Sequence, residues 1–120
     1  MKKSNGPKKI STAVFISGKG SNLKNLINHS QKKKSKFKIN LVISNNSKAR
    51  GLNYANKENI KKKIINYRVI KTAEKKILLE LKKNKIKLIC LAGFMKIISN
   101  NLIKNYRGKI INIHPSLLPK

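Results

Sequence analysis

Apolar residues fall along this chain in short clusters whose spacing switches back and forth between two periods. STAVFIS (residues 11–17) is a continuous, β-branched run that stops at Gly18, as a buried strand does. SNLKNLINHS (21–30) places Leu23, Leu26 and Ile27 at helical spacing, and Ser21 or Asn22 is suited to cap that helix. FKINLVIS (37–44) predicts the second strand. In NNSKARGLNYANKEN (45–59) a polar turn leads into Leu52 and Ala55 on one helical face. KIINYRVI (63–70) predicts a third strand, and TAEKKILLELKKNK (72–85) the clearest helix, with Ile77, Leu78 and Leu81 inward and lysines outward. KLICLA (87–92) is, after Lys87, a continuous apolar run typical of a central parallel strand, and closes at Gly93. NNLIKNYRGK (100–109) predicts a short helix with Gly108 past its end, and IINI (110–113) the last strand.

Strands alternating with helices predict an α/β fold with an open, mostly parallel, Rossmann-like sheet, in which ligands bind beyond the carboxyl ends of the strands. SGKGSN, SNNS, AGFMK and NIHPS all follow predicted strands, so four loops can converge on one crevice. A chain of 120 residues has room for one small domain. We place it at residues 10–120, after a polar leader over residues 1–9.

Composition changes this picture less than its extremity suggests. The net charge of +27 would by itself argue for a nucleic-acid or anionic-membrane partner. However, 27 lysines, 18 isoleucines and 16 asparagines make up half the chain, the bias that AT-rich codons produce. Arg, the better bidentate reader of phosphate and guanine, occurs three times. Aromatics do not interleave with the runs Lys32 to Lys34 and Lys61 to Lys63, as a single-strand platform requires. Those runs are therefore expected on solvated faces and loops, with no specific nucleic acid bound. No stretch has the length of a membrane span, and the lone Cys90 suits a reducing, cytoplasmic compartment. Two distant His, one Cys and three Glu show no metal-ligand spacing.

Candidate chemistry sits in the loops. SGKGSN (17–22) is a Gly-rich turn between strand and helix, where free N–H groups and the helix dipole favour an anion; a tight turn chosen for geometry alone reads the same way. It is not a Walker loop, because Lys19 lies between the glycines, nor a dinucleotide fingerprint, because Leu23 stands where the third Gly is needed. Asn112 and His114, two residues apart just at the end of a buried strand, point to one side. An imidazole exchanges protons with an amine near neutral pH, and an amide donates to a developing oxyanion, which suits transfer of a one-carbon acyl group to nitrogen. A hydrogen-bonded structural His is the alternative. Pro115 and Pro119 stiffen the segment that follows. Gly93 allows a close approach, and Phe94 with Met95 can line an apolar pocket or belong to the core. Cys90 reads as inert core and His29 as a solvated helix end.

Together AVFISGKGSNLKNLI, LVISNNSKARGL, ICLAGFMKIIS and INIHPSLLPK resemble the phosphoribosylglycinamide formyltransferases, folate-dependent enzymes of purine biosynthesis. The resemblance implies that 10-formyltetrahydrofolate, as co-substrate and without a metal, passes its formyl group to the amino group of 5'-phosphoribosylglycinamide. It implies that Gly20, Ser21 and Asn22 bind the phosphate and ribose end, and that Met95, Lys96, Ile97 and Ile98 lie against the folate. Asn112 would hold the formyl oxygen and His114 handle the proton. The family's catalytic Asp lies downstream of the His segment, and this sequence contains no Asp. The family chain also continues past HPSLLPK, so the sequence is expected to be an amino-terminal fragment, inactive alone. For the family's basic folate contact Arg68 and Lys71 are the candidates, and the spacing decides for neither. A formyltetrahydrofolate hydrolase or a methionyl-tRNA formyltransferase shares the Asn, His and Pro-rich loop. A basic nucleic-acid-binding module would instead bind with steep salt dependence and ignore Asn112 and His114.

Overall fold

The computed structural model describes residues 8–113. Five strands, β1 (Ile10–Ile16), β2 (Phe37–Ser44), β3 (Lys61–Ile64), β4 (Leu88–Leu91) and β5 (Lys109–Asn112), form one sheet in the order β3-β2-β1-β4-β5. Every neighbouring pair is parallel, so each connection must cross over the sheet. Helices α1 (Ser21–Ser30), α2 (Leu52–Lys57), α3 (Ile70–Lys83) and α4 (Asn100–Asn105) make those crossings.

A parallel sheet is covered on both faces, which is why its strands read as unbroken apolar runs. Along β1, Ala13 and Phe15 pack with Ala73, Ile77 and Leu81 of α3 and Leu102 of α4. Val14 and Ile16 pack on the other face with Leu23, Leu26 and Ile27 of α1 and Leu52 and Ala55 of α2. The register slips between Thr12 and Ala13, whose partners are Ile39 and Leu41. Asn40 is the extra residue. This bulge reverses the phase of β2, so Ile39 belongs with α1 while Leu41, two residues on, belongs with α3.

Four sequence expectations need correction. The third strand is not residues 63–70: the ladder runs over Lys61–Ile64, and Ile70 already opens α3. Asn66 ends it, its side-chain oxygen accepting from the Arg68 N–H at 2.7 Å in a local turn, while Ile65 and Tyr67 enter the core from the connecting segment. The cap of α1 is Gly20, in left-handed conformation with φ 78°, rather than Ser21 or Asn22. Gly93 is required by its φ of +74°, and not by the approach of a neighbouring backbone, since among the described residues nothing lies within 4 Å of where its Cβ would be. Gly108 does lie past the end of α4, but that helix stops at Asn105. Gly108 instead admits the Tyr106 ring and the Lys87 carbonyl, both of which a Cβ would strike.

The run Lys61 to Lys63 is solvated, as expected, but it forms a strand at the edge of the sheet, where charge blocks pairing with another chain. Its side chains alternate. Lys61 and Lys63 reach Glu80 of α3 at 3.9 and 3.7 Å, and Lys62 donates to Asn56 of α2.

Candidate active site

The carboxyl ends of the strands lie side by side. Ile16 pairs with Ser44, Phe15 with Leu91, and Leu91 with Asn112. The chain adds β2 and β3 on one side of β1 and β4 and β5 on the other, so connections leave in opposite directions at the β1/β4 boundary and a crevice opens there. Asn112 is level with Phe15 two strands away, roughly 10 Å at the usual strand spacing, and the glycine turn begins at Gly18, just beyond the end of β1. Alternation from Ile110, which packs against the α3 side of the core, places Asn112 on the same face as Phe94 and Ile98.

The glycine turn is built by close approach. Its first-turn amides receive no side-chain cap, and they lie at the positive end of the helix dipole. Gly20 touches Gly51 so closely that a Cβ on it would strike the Gly51 Cα. A Cβ on Gly51 would meet the Ile16 Cδ1 at 2.6 Å and the Gly20 Cα at 2.9 Å. The Gly51 N–H donates to the Gly18 carbonyl at 3.0 Å, which locks the β1 turn to the β2 turn. Tyr54 lines the same contact, with the Lys24 ammonium 5.8 Å above its ring.

Ser17 ties three loops together. Its hydroxyl donates to the Asn45 side chain and accepts from the Met95 N–H at 2.8 Å. The Asn46 side chain donates to the Ser17 carbonyl at 3.3 Å. The segment after β4, residues 92–99, is thereby held against the glycine turn. Its far end is held by Glu74 of α3, whose carboxylate accepts from the Ser99 N–H at 2.9 Å and from the Ser99 hydroxyl. Phe94 anchors the middle, meeting Phe15 and Tyr67 edge to face at 5.3 and 5.5 Å. Burial, and secondarily the Glu74 charge, push the Tyr67 phenol up to about 12.

Gly20, Ser21 and Asn22 therefore meet at one turn, as the sequence predicts, and Met95, Lys96 and Ile97 are exposed on the neighbouring segment. Met95 is 79% and Ile97 82% exposed, whereas Ile98 is half-buried against the core. Asn112 is exposed at the end of β5. His114 lies outside the described residues. Arg68 and Lys71 are both exposed near the start of α3. Cys90 is buried, and burial pushes its thiol up to about 11, as inert core requires. Among the described residues no three His, Cys, Asp or Glu cluster to hold a metal, and no helix is long and apolar enough to cross a membrane.

Sequence reasoning missed the linking role of Ser17 and the parts played by Gly51 and Glu74. Glu74 carried a signal: it stands three residues before Ile77 and seven before Leu81, on the buried stripe of α3.

Residues 10–120 match the formyl transferase family. The chain is 42% identical over 115 residues to the human trifunctional purine biosynthetic protein adenosine-3, and 39% identical over 113 residues to the Drosophila melanogaster protein of that name. Those matches cover 93% and 90% of this chain but 11% and 8% of the relatives. The crystal structure of phosphoribosylglycinamide formyltransferase from Brucella melitensis superposes with a TM-score of 0.85 at 37% identity, over 93% of this chain and 60% of that one. The Coxiella burnetii enzyme, solved in complex with CHES, gives 0.82 at 37% identity, over 94% and 55%. The sheet order and the crevice at its switch point thus belong to a shared architecture, and the chain is a member of the formyl transferase family.

Proposed function

We propose that the protein carrying this chain transfers a formyl group from 10-formyltetrahydrofolate to the amino group of 5'-phosphoribosylglycinamide. The observation that carries the reading is the junction at Ser17, which joins an uncapped glycine turn to an exposed segment that follows β4, the strand beside which Asn112 lies. The relatives that are phosphoribosylglycinamide formyltransferases share this fold.

Each part of the crevice has a task. The Gly20, Ser21 and Asn22 amides meet the substrate's phosphate, favoured by the dipole of α1. Met95 and Ile97 expose apolar surface that a flat ring system covers, while Lys96 between them supplies a cation for an anionic tail. Ile98 backs this surface from the core. The folate supplies the formyl carbon. The Asn112 side-chain N–H donates to the formyl oxygen as negative charge builds there. His114 accepts the proton that the attacking amine must lose and returns one to the departing nitrogen, a task suited to a group titrating near neutrality. The new carbon–nitrogen bond forms as the old one breaks, so no redox partner is needed.

Formyl transfer by the natural protein tests this. Asn112→Ala and His114→Ala should each lower turnover by about two to four orders of magnitude. Near-normal rates in both would reject the assignment.

A further inference from the structure

Glu74 takes no part in the chemistry proposed above, yet its setting is unusual. It is one of three acids in a chain with 30 lysines and arginines, and it is 2% exposed. Among the described residues its partner is not a cation but Ser99, through both the backbone N–H and the hydroxyl. A buried carboxylate is tolerable only when its oxygens are satisfied, and charge-assisted bonds of this kind are the stronger class. Ser99 in turn caps α4, accepting from the Leu102 N–H at 3.2 Å. Segment 92–99 is therefore fixed at two points, Met95 on Ser17 and Ser99 on Glu74. Between them lie Lys96 and Ile97, and beside them Met95, the exposed surface assigned above to the folate.

We propose that Glu74 is a positioning residue: by fixing Ser99 it holds segment 95–98 in the shape that receives the folate. This deepens the formyl-transfer reading and rests on it. The substrate's phosphate turn meets this segment at Ser17 but has an anchor of its own in the Gly18, Gly20 and Gly51 contact, so the two ligands should respond differently to loss of Glu74.

The test uses the natural protein with Glu74→Ala and Glu74→Gln, the second keeping one oxygen for the Ser99 N–H. Backbone amide exchange reports the segment, and titrations with 5-formyltetrahydrofolate and with 5'-phosphoribosylglycinamide report the two ligands. Glu74→Ala should speed exchange over residues 95–99 and weaken folate binding, each by at least about tenfold. Affinity for the phosphorylated substrate should stay within about twofold, and Glu74→Gln should recover most of both losses. Unchanged folate affinity in a variant whose segment has loosened would overturn the proposal. So would faster exchange across the whole sheet with both affinities lost together, the mark of a residue that merely supports the fold. An unmodified protein without folate affinity would strike the functional reading instead. Amide exchange then decides separately: unaltered exchange over residues 95–99 in Glu74→Ala would remove Glu74 as their anchor.

Discussion

Replacing Gly20 by Ala adds one methyl group at the tightest point of the crevice. Two costs combine. Gly20 has φ 78°, and an L residue held in the left-handed region loses roughly 1–2 kcal/mol. Its Cβ would also strike the Gly51 Cα, with the Gly51 N at 3.3 Å and the Tyr54 ring at 3.4 Å. A backbone atom cannot swing aside as a side chain can, and overpacking of this kind costs about 1–3 kcal/mol. The expected loss is about 2–5 kcal/mol, a large part of the ~5–15 kcal/mol that holds a domain folded. Gly51→Ala should cost less. Its φ is −57°, so the backbone is unstrained and only the contact cost remains, set by the Ile16 Cδ1 at 2.6 Å and the Gly20 Cα at 2.9 Å. Gly18→Ala, with none of the described residues within 4 Å of its Cβ, should stay within about 0.5 kcal/mol. Thermal melts followed by circular dichroism give the ranking, with Gly20→Ala lower by roughly 8–20 °C at ~4 °C per kcal/mol. Urea midpoints check it. A Gly20→Ala melt within about 2 °C of Gly18→Ala would refute the claim that the two turns meet at Gly20 and Gly51.

Other outcomes follow from the same geometry. Ser17→Ala leaves the Met95 N–H and the Asn45 side chain without their partner, so the urea-derived stability should fall by about 1–3 kcal/mol. Ser21→Ala in the natural protein should weaken substrate binding more than turnover, because an interaction present in both ground and transition states raises KM and leaves kcat unchanged. The Cys90 thiol, raised from 9.0 to about 11 by burial, keeps its proton in the folded chain where the unfolded chain has lost it. Its contribution is therefore complete below pH 9 and fades as pH climbs toward 11. Comparing urea midpoints of the natural protein and Cys90→Ala at pH 8 and pH 10.5 isolates that contribution, since lysine titration is common to both. The gap between them should narrow at the higher pH, and a widening gap would contradict the burial assigned to this thiol.

Elements whose buried residues follow one clear pattern were legible in the sequence. FKINLVIS is β2 and SNLKNLINHS is α1, to the residue, because each is bounded by turn-forming residues, the strand burying a near-continuous run and the helix one stripe. β3 was not legible. Its four residues are exposed on both sides, so hydrophobicity marks Ile65 and Tyr67 instead, which are buried outside the ladder. Contacts between distant residues were equally hidden: nothing local tells Gly20 that Gly51 will face it, or Ser17 that Met95 will donate to it. The loops of the candidate site were legible by type, since strand ends in a parallel sheet must gather on one edge. Their mutual locking was not, because it depends on side chains up to 78 positions apart.

The lysines of β3 have a consequence for how molecules behave in company. Among the described residues β3 closes one side of the sheet, and a strand edge there is an invitation to any other extended chain that its lysines withdraw by charge. Such protection depends on the medium. Its range contracts from about 10 Å in 0.1 M salt to about 3 Å in 1 M, so crowding this protein into concentrated brine should let β3 edges meet, while dilute buffer keeps each copy apart.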